Sequence, residues 1–138
     1  MPQATILAVD DEPSDLENLQ TILSGCGHNV ITASAGDEAL RAYADLQIKL
    51  DLLVTDIAMS PMNGCELARA LIETHNDLRV VFVSGYVGEQ ALMSDETRIS
   101  GSLFLRKPFT AADLRAVVRR ALGEEDVREA AQGSGAAE

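Results

Sequence analysis

Five short aliphatic runs alternate along the chain with longer segments whose apolar residues recur every three or four positions, and that alternation leaves few folds open. The runs are Ala4 to Val9, Asn29 to Ala33, Asp51 to Thr55, Arg79 to Ser84 and Ser102 to Leu105. Each is brief, rich in β-branched residues or leucine, and often bounded by turn residues, as a buried strand is. Between and after them lie Ser14 to Ser24, Asp37 to Leu46, Gly64 to Thr74, Glu89 to Arg98 and Ala111 to Leu122, which read as helices. Leu16, Leu19 and Leu23 form one apolar stripe, and Leu114, Val117, Val118 and Ala121 form another. Ser14 with Glu17 and Thr110 with Asp113 read as capping boxes, and Gly25 and Gly123 stand where helices are expected to stop. Parallel neighbours need a crossover and the crossover is right-handed, so this alternation predicts a doubly wound α/β domain with helices on both faces of a five-stranded parallel sheet. In such a fold the functional crevice lies beyond the carboxyl ends of the strands.

The 138 residues suffice for one domain with a real core, expected over 1–123. From Glu124 to Glu138 the composition turns acidic, small and polar, which predicts a disordered tail. Net charge is −11, a sign that repels phosphate backbones and anionic lipid heads, so neither nucleic acid nor membrane is an expected partner. No apolar run approaches the roughly 18 residues that cross a bilayer, and the N-terminus lacks a basic secretory region, so a cytoplasmic location is expected. Cys26 and Cys65 fit no metal-ligand spacing and are expected to be buried packing. His28 and His75 head no helical phosphoacceptor motif and are expected at the surface beside turns.

The residues just past the expected strand ends are Asp10 and Asp11, Asp56, Ser84, and Lys107 with Pro108. Three carboxylates, a hydroxyl and an ammonium would thus converge on one crevice. Three such carboxylates repel unless a positive charge sits among them, and an oxygen-only set suits a hard divalent cation such as Mg²⁺. The rest fits phosphoryl transfer: a carboxylate can become an aspartyl phosphate, while the metal and a Lys neutralise the transferring oxygens. Asp56 is the best nucleophile on position, because it stands alone after a central apolar strand.

With these residues in place, the chain from about Thr5 to Leu122 closely resembles the receiver domain of bacterial two-component response regulators. The resemblance rests on Val9-Asp10-Asp11-Glu12-Pro13, Thr55-Asp56-Ile57-Ala58-Met59, Gly64, Val83-Ser84-Gly85 and Lys107-Pro108-Phe109. It implies a flavodoxin-like strand order 2-1-3-4-5 with five helices. It implies further that Asp56 takes a phosphoryl group from a histidine kinase or histidine phosphotransfer protein. Asp11 and Asp56 would hold Mg²⁺ with the Ala58 carbonyl, while Asp10 would hold metal-bound water or Lys107. Ser84 and Lys107 would bind the phosphoryl oxygens. Phe104 occupies the position of a switch aromatic that turns inward as Ser84 moves, and the Lys107-Pro108 bond is expected to be cis. A downstream protein partner would read the face made by the fourth helical segment, the fifth strand and the fifth helical segment. Such a chain is a phosphoacceptor signalling domain and not an enzyme with a separate substrate.

Two stretches depart from the commonest family pattern: Pro61 comes one residue late, and Ser84 is followed by Gly85-Tyr86. Ala58 and Tyr86 would line the water's approach and tune phosphoryl lifetime. A haloacid-dehalogenase-type phosphatase is disfavoured, since Ala58 stands where it needs a second Asp. A pseudo-receiver, a phosphorylation-independent binding module on the same fold, is the alternative.

Overall fold

The computed structural model of the protein describes residues 3–44, 47–85, 99 and 101–123. The elements are β1 (Thr5–Val9), α1 (Pro13–Gly25), β2 (Asn29–Ala33), α2 (Gly36–Tyr43), β3 (Leu52–Asp56), α3 (Gly64–Ile72), β4 (Arg79–Ser84), β5 (Leu103–Arg106) and α4 (Ala111–Ala121). The five strands form one parallel sheet in the order β2-β1-β3-β4-β5, the flavodoxin-like order. Four helices lie among the described residues. The expected helix over Glu89 to Arg98, Tyr86 and the segment from Glu124 to Glu138 lie outside them.

Strand periodicity divides the core in two. Leu7 and Val9 of β1, Leu53 of β3, and Val80 and Phe82 of β4 face one side, where Ala39 of α2 and Leu67, Ala68 and Leu71 of α3 cover them. Their chain neighbours Ile6, Ala8, Leu52, Val54, Val81 and Val83 face the other side, against Leu19 and Leu23 of α1 and Leu114, Val117, Val118 and Ala121 of α4. Successive side chains of a strand point to opposite faces, so strands covered on both faces read as continuous apolar runs. β3, flanked by β1 and β4, is buried at every position through Asp56.

Several expectations are corrected. Helix α1 begins one residue before Ser14: Pro13 occupies the first turn, and the cap is Glu12, whose carboxylate accepts from the Ser14 amide at 2.9 Å and the Ser14 hydroxyl at 2.5 Å. Proline suits that position because its missing N–H would be unpaired there anyway. The Thr110–Asp113 box forms as expected, and a second box, Asn63 with Glu66, opens α3. Cys65 is buried, but Cys26 is exposed at the end of α1; both are free. His75 is buried, not superficial, with Nε2 at 2.8 Å from the Tyr43 carbonyl oxygen, and half-buried His28 accepts the Ala4 amide at 3.2 Å. No described helix is long and apolar enough to cross a membrane.

Candidate functional site

The carboxyl ends of β1, β3, β4 and β5 open on a cleft of about 570 Å³, lined among others by Asp10, Asp11, Asp56, Ala58, Gly85 and Lys107. Backbone hydrogen bonds hold these strand ends together past the last ladder pairs. The Ile57 amide donates to the Val83 carbonyl at 3.1 Å, and the Lys107 amide donates to the Ser84 carbonyl at 2.7 Å. Ser84 is buried at the end of β4, and the Lys107-Pro108 peptide bond is cis, as is Ser60-Pro61.

Asp10 is fully buried and both of its oxygens are engaged: Oδ1 accepts the Glu12 amide at 3.0 Å, and Oδ2 accepts from Lys107 Nζ at 2.9 Å. Burial pushes its carboxyl above the ordinary range, and the Glu12 amide and Lys107 only partly offset this. Asp11, the next residue, is exposed toward the cleft. Asp56 is buried, and a carboxylate oxygen from each of Asp10, Asp11 and Asp56 lies within 4.8 Å of the others. Among the described residues, five carboxylates and one ammonium line the cleft, an imbalance that favours a cation among them. The donor set is all oxygen, which fits a hard divalent ion.

Lys107 reaches across this acidic wall. Its Nζ donates to Asp10 and to Asp15, both at 2.9 Å, and stands 3.9 Å from Asp56 Oδ1. Burial works against the charged ammonium, but the hydrogen bonds to Asp15 and Asp10 and the charges of Asp10 and Asp56 outweigh it and hold its pKa above the ordinary lysine value. Phe104 sits on β5 in register with Phe82, partly buried against the α2/α3 side of the core.

The β3–α3 loop carries Ala58 into the cleft lining, and a glycine holds the loop in place. The Gly64 amide donates to the Ile57 carbonyl at 2.9 Å, and a Cβ on Gly64 would collide with the Asp56 carbonyl group. Only a residue without a side chain lets α3 start against the backbone of Asp56.

All the expected site residues that are described, Asp10, Asp11, Asp56, Ala58, Ser84 and Lys107, therefore stand at one end of one sheet, with Phe104 set back along β5. Asp15, which the sequence reading did not single out, completes the grip on Lys107. Its signal was an acid in the first turn of the helix that opens directly beside the strand ends.

A model of the response regulator receiver domain family matches residues 6–119. The chain belongs to this family. The receiver is 35% identical over 123 residues to the sensor kinase CckA of Brucella abortus, spanning 89% of this chain and 13% of that protein. It is 31% identical to the transcriptional regulatory protein YvrH of Bacillus subtilis, over 86% of this chain and 49% of that one. The chain thus spans less than half the length of these curated relatives. Among solved structures, a receiver protein from Sinorhizobium medicae superposes with a TM-score of 0.77 at 31% identity, covering 88% of this chain and 95% of that one. The CheX–CheY–BeF3–Mg complex from Borrelia burgdorferi gives 0.73 at 29% identity, covering 87% of this chain and 89% of the matched chain.

Proposed function

We propose that Asp56 accepts a phosphoryl group from a histidine kinase or histidine phosphotransfer protein, and that the phosphorylated receiver switches or relays a signal through protein contacts in the cytoplasm. The observation that carries this reading is the convergence of Asp10, Asp11 and Asp56 within 4.8 Å, with Lys107 reaching into the same cleft. A carboxylate oxygen of Asp56 forms the new P–O bond as the P–N bond of the donor's phosphohistidine breaks, and the imidazole leaves with the bonding electron pair. Mg²⁺ would be held by Asp11, Asp56 and the Ala58 carbonyl, with Asp10 holding metal-bound water or Lys107, and would supply positive charge to the transferring oxygens. The Borrelia relative's complex with BeF3 and Mg supports that choice of ion by likeness. Lys107 donates to one phosphoryl oxygen and the Ser84 hydroxyl to another.

Movement of Ser84 toward the phosphoryl group draws Phe104 inward, and this biases the face of the Glu89 to Arg98 segment, β5 and α4 that a partner reads. The domain carries out only its own phosphorylation and dephosphorylation. Ala58 and Tyr86 set the phosphoryl lifetime.

Intact mass after exposure to acetyl phosphate, with and without Mg²⁺, tests the reading beside an Asp56→Asn variant. The expected result is a gain of one phosphoryl mass that needs the metal and vanishes in the variant. A folded, Mg²⁺-binding protein that gains nothing under any condition would overturn it in favour of the pseudo-receiver.

A further inference from the structure

We infer that Asp15 is a positioning residue that holds the Lys107 ammonium on the α1 side of the cleft and competes with the phosphoryl site for it, an inference that rests on the phosphoacceptor reading of Asp56. An ammonium has three protons to donate, and two of those on Lys107 go to Asp10 and Asp15 at 2.9 Å each. Asp56 Oδ1, at 3.9 Å, is close enough for charge attraction but beyond hydrogen-bond distance.

The two carboxylates that grip Lys107 differ in how firmly they are held. Asp10 is fully buried, and its second oxygen is tied to the Glu12 amide, so its position is fixed by the end of β1. Asp15 lies in the first turn of α1 with its side chain 44% exposed, where water can solvate it once it lets go. When Lys107 turns toward an oxygen carried by Asp56, the bond to Asp15 is therefore the one that gives way. Asp15 stabilises the unphosphorylated arrangement, and removing its charge frees Lys107 for the anion. A half-exposed ion pair of this kind shifts an equilibrium by about two- to five-fold.

The test compares wild type with Asp15→Asn, Asp15→Glu, Lys107→Ala and the Asp15→Asn/Lys107→Ala double variant. The first readout needs neither metal nor phosphoryl donor. The chain has two lysines, Lys49 and Lys107, and Lys49 is exposed, so it serves as the internal reference for trace acetylation by acetic anhydride. Asp15→Asn is expected to raise labelling of Lys107 relative to Lys49, and Asp15→Glu to restore it. Unchanged labelling overturns the inference.

The second readout is the affinity for beryllofluoride with Mg²⁺ by calorimetry. It is expected to tighten by about two- to five-fold in Asp15→Asn, and this gain is expected to vanish in the Lys107→Ala background. Unchanged affinity in Asp15→Asn overturns the competition. A gain that persists without Lys107 overturns the route through the lysine and makes Asp15 a charge acting directly on the anion. Wild-type protein that takes up no beryllofluoride at all overturns the phosphoacceptor reading, and this inference with it.

Discussion

Gly64 shows how one atom shapes the site. A Cβ there would lie 3.0 Å from the Asp56 carbonyl carbon and 3.1 Å from the Ile57 Cα, and closer still to the Asp56 carbonyl oxygen. All three are backbone atoms, so no rotamer change relieves the overlap. Gly64→Ala is expected to lower stability by about 1–3 kcal/mol, the usual range for overpacking, and to slow acceptance of a phosphoryl group by displacing Asp56. Urea unfolding and the acetyl phosphate time course check the two effects separately. The cysteines give a second prediction at this scale. Burial raises the Cys65 thiol above its ordinary pKa of 9.0, with a smaller push from the Glu66 charge, while Cys26 is exposed. A raised thiol pKa keeps Cys65 protonated as the pH climbs, and the thiolate is the reacting species. Brief treatment with iodoacetamide is expected to add one group to the folded chain, at Cys26, and two after denaturation; rapid double labelling of the folded protein would contradict it.

At the scale of elements, helix starts carry polar devices that serve different ends. Thr110 Oγ1 accepts from the Asp113 amide at 3.0 Å, and Asp113 Oδ2 accepts from the Thr110 amide at 3.0 Å, fixing the start of α4. Thr110→Ala removes half of this box and is expected to cost about 1 kcal/mol of stability. Phosphoryl acceptance per folded molecule is expected to stay at the wild-type rate, because the box lies outside the cleft; chemical denaturation beside intact mass reads both. At the start of α1 the polar groups face the site as well. Glu12 caps the helix through Ser14, its carboxyl held below the ordinary range chiefly by the hydrogen bond from the Ser14 hydroxyl, while Asp15 in the same turn grips Lys107. That division is invisible in a spacing pattern, which points to a Ser14–Glu17 capping box and not to Glu12 as the cap. Pro13 decides it by occupying the first helical position.

For the whole molecule, a cation bound among Asp10, Asp11 and Asp56 would couple to folding. A metal that binds only the folded chain stabilises it by RT ln(1 + [L]/Kd), about 1.4 kcal/mol at a tenfold excess over Kd. Mg²⁺ is therefore expected to raise the melting temperature, chelator to reverse the rise, and Asp11→Asn to remove most of it. The chain has no Trp, so circular dichroism is the suitable probe. An Mg²⁺-dependent rise that survives intact in Asp11→Asn would place the bound ion elsewhere. The same cleft explains why the sheet tolerates Asp10, Thr55, Asp56 and Ser84 as buried polar groups at its carboxyl end. The Glu12 amide and Lys107 satisfy the Asp10 carboxylate, and the Thr55 hydroxyl donates to the Asp56 carbonyl at 2.9 Å.

The amino-acid sequence by itself determined the alternation of strands and helices, both apolar stripes, the α4 capping box and the placing of Asp10, Asp11, Asp56, Ser84 and Lys107 at strand ends. These follow from local periodicity and from the rule that parallel strands present their carboxyl ends together, so short-range information suffices. Tertiary structure decided what depends on residues distant in the chain. Asp15 meets Lys107 across 92 positions, and His75 is buried because α3 and the loop after it bring it to the Tyr43 carbonyl, 32 positions away. Cys26 is exposed because α1 ends there, although its residue type favours burial. The need for glycine at position 64 likewise comes from the approach of α3 to the end of β3. No periodicity encodes such pairings, because each is set by how two packed elements meet in space.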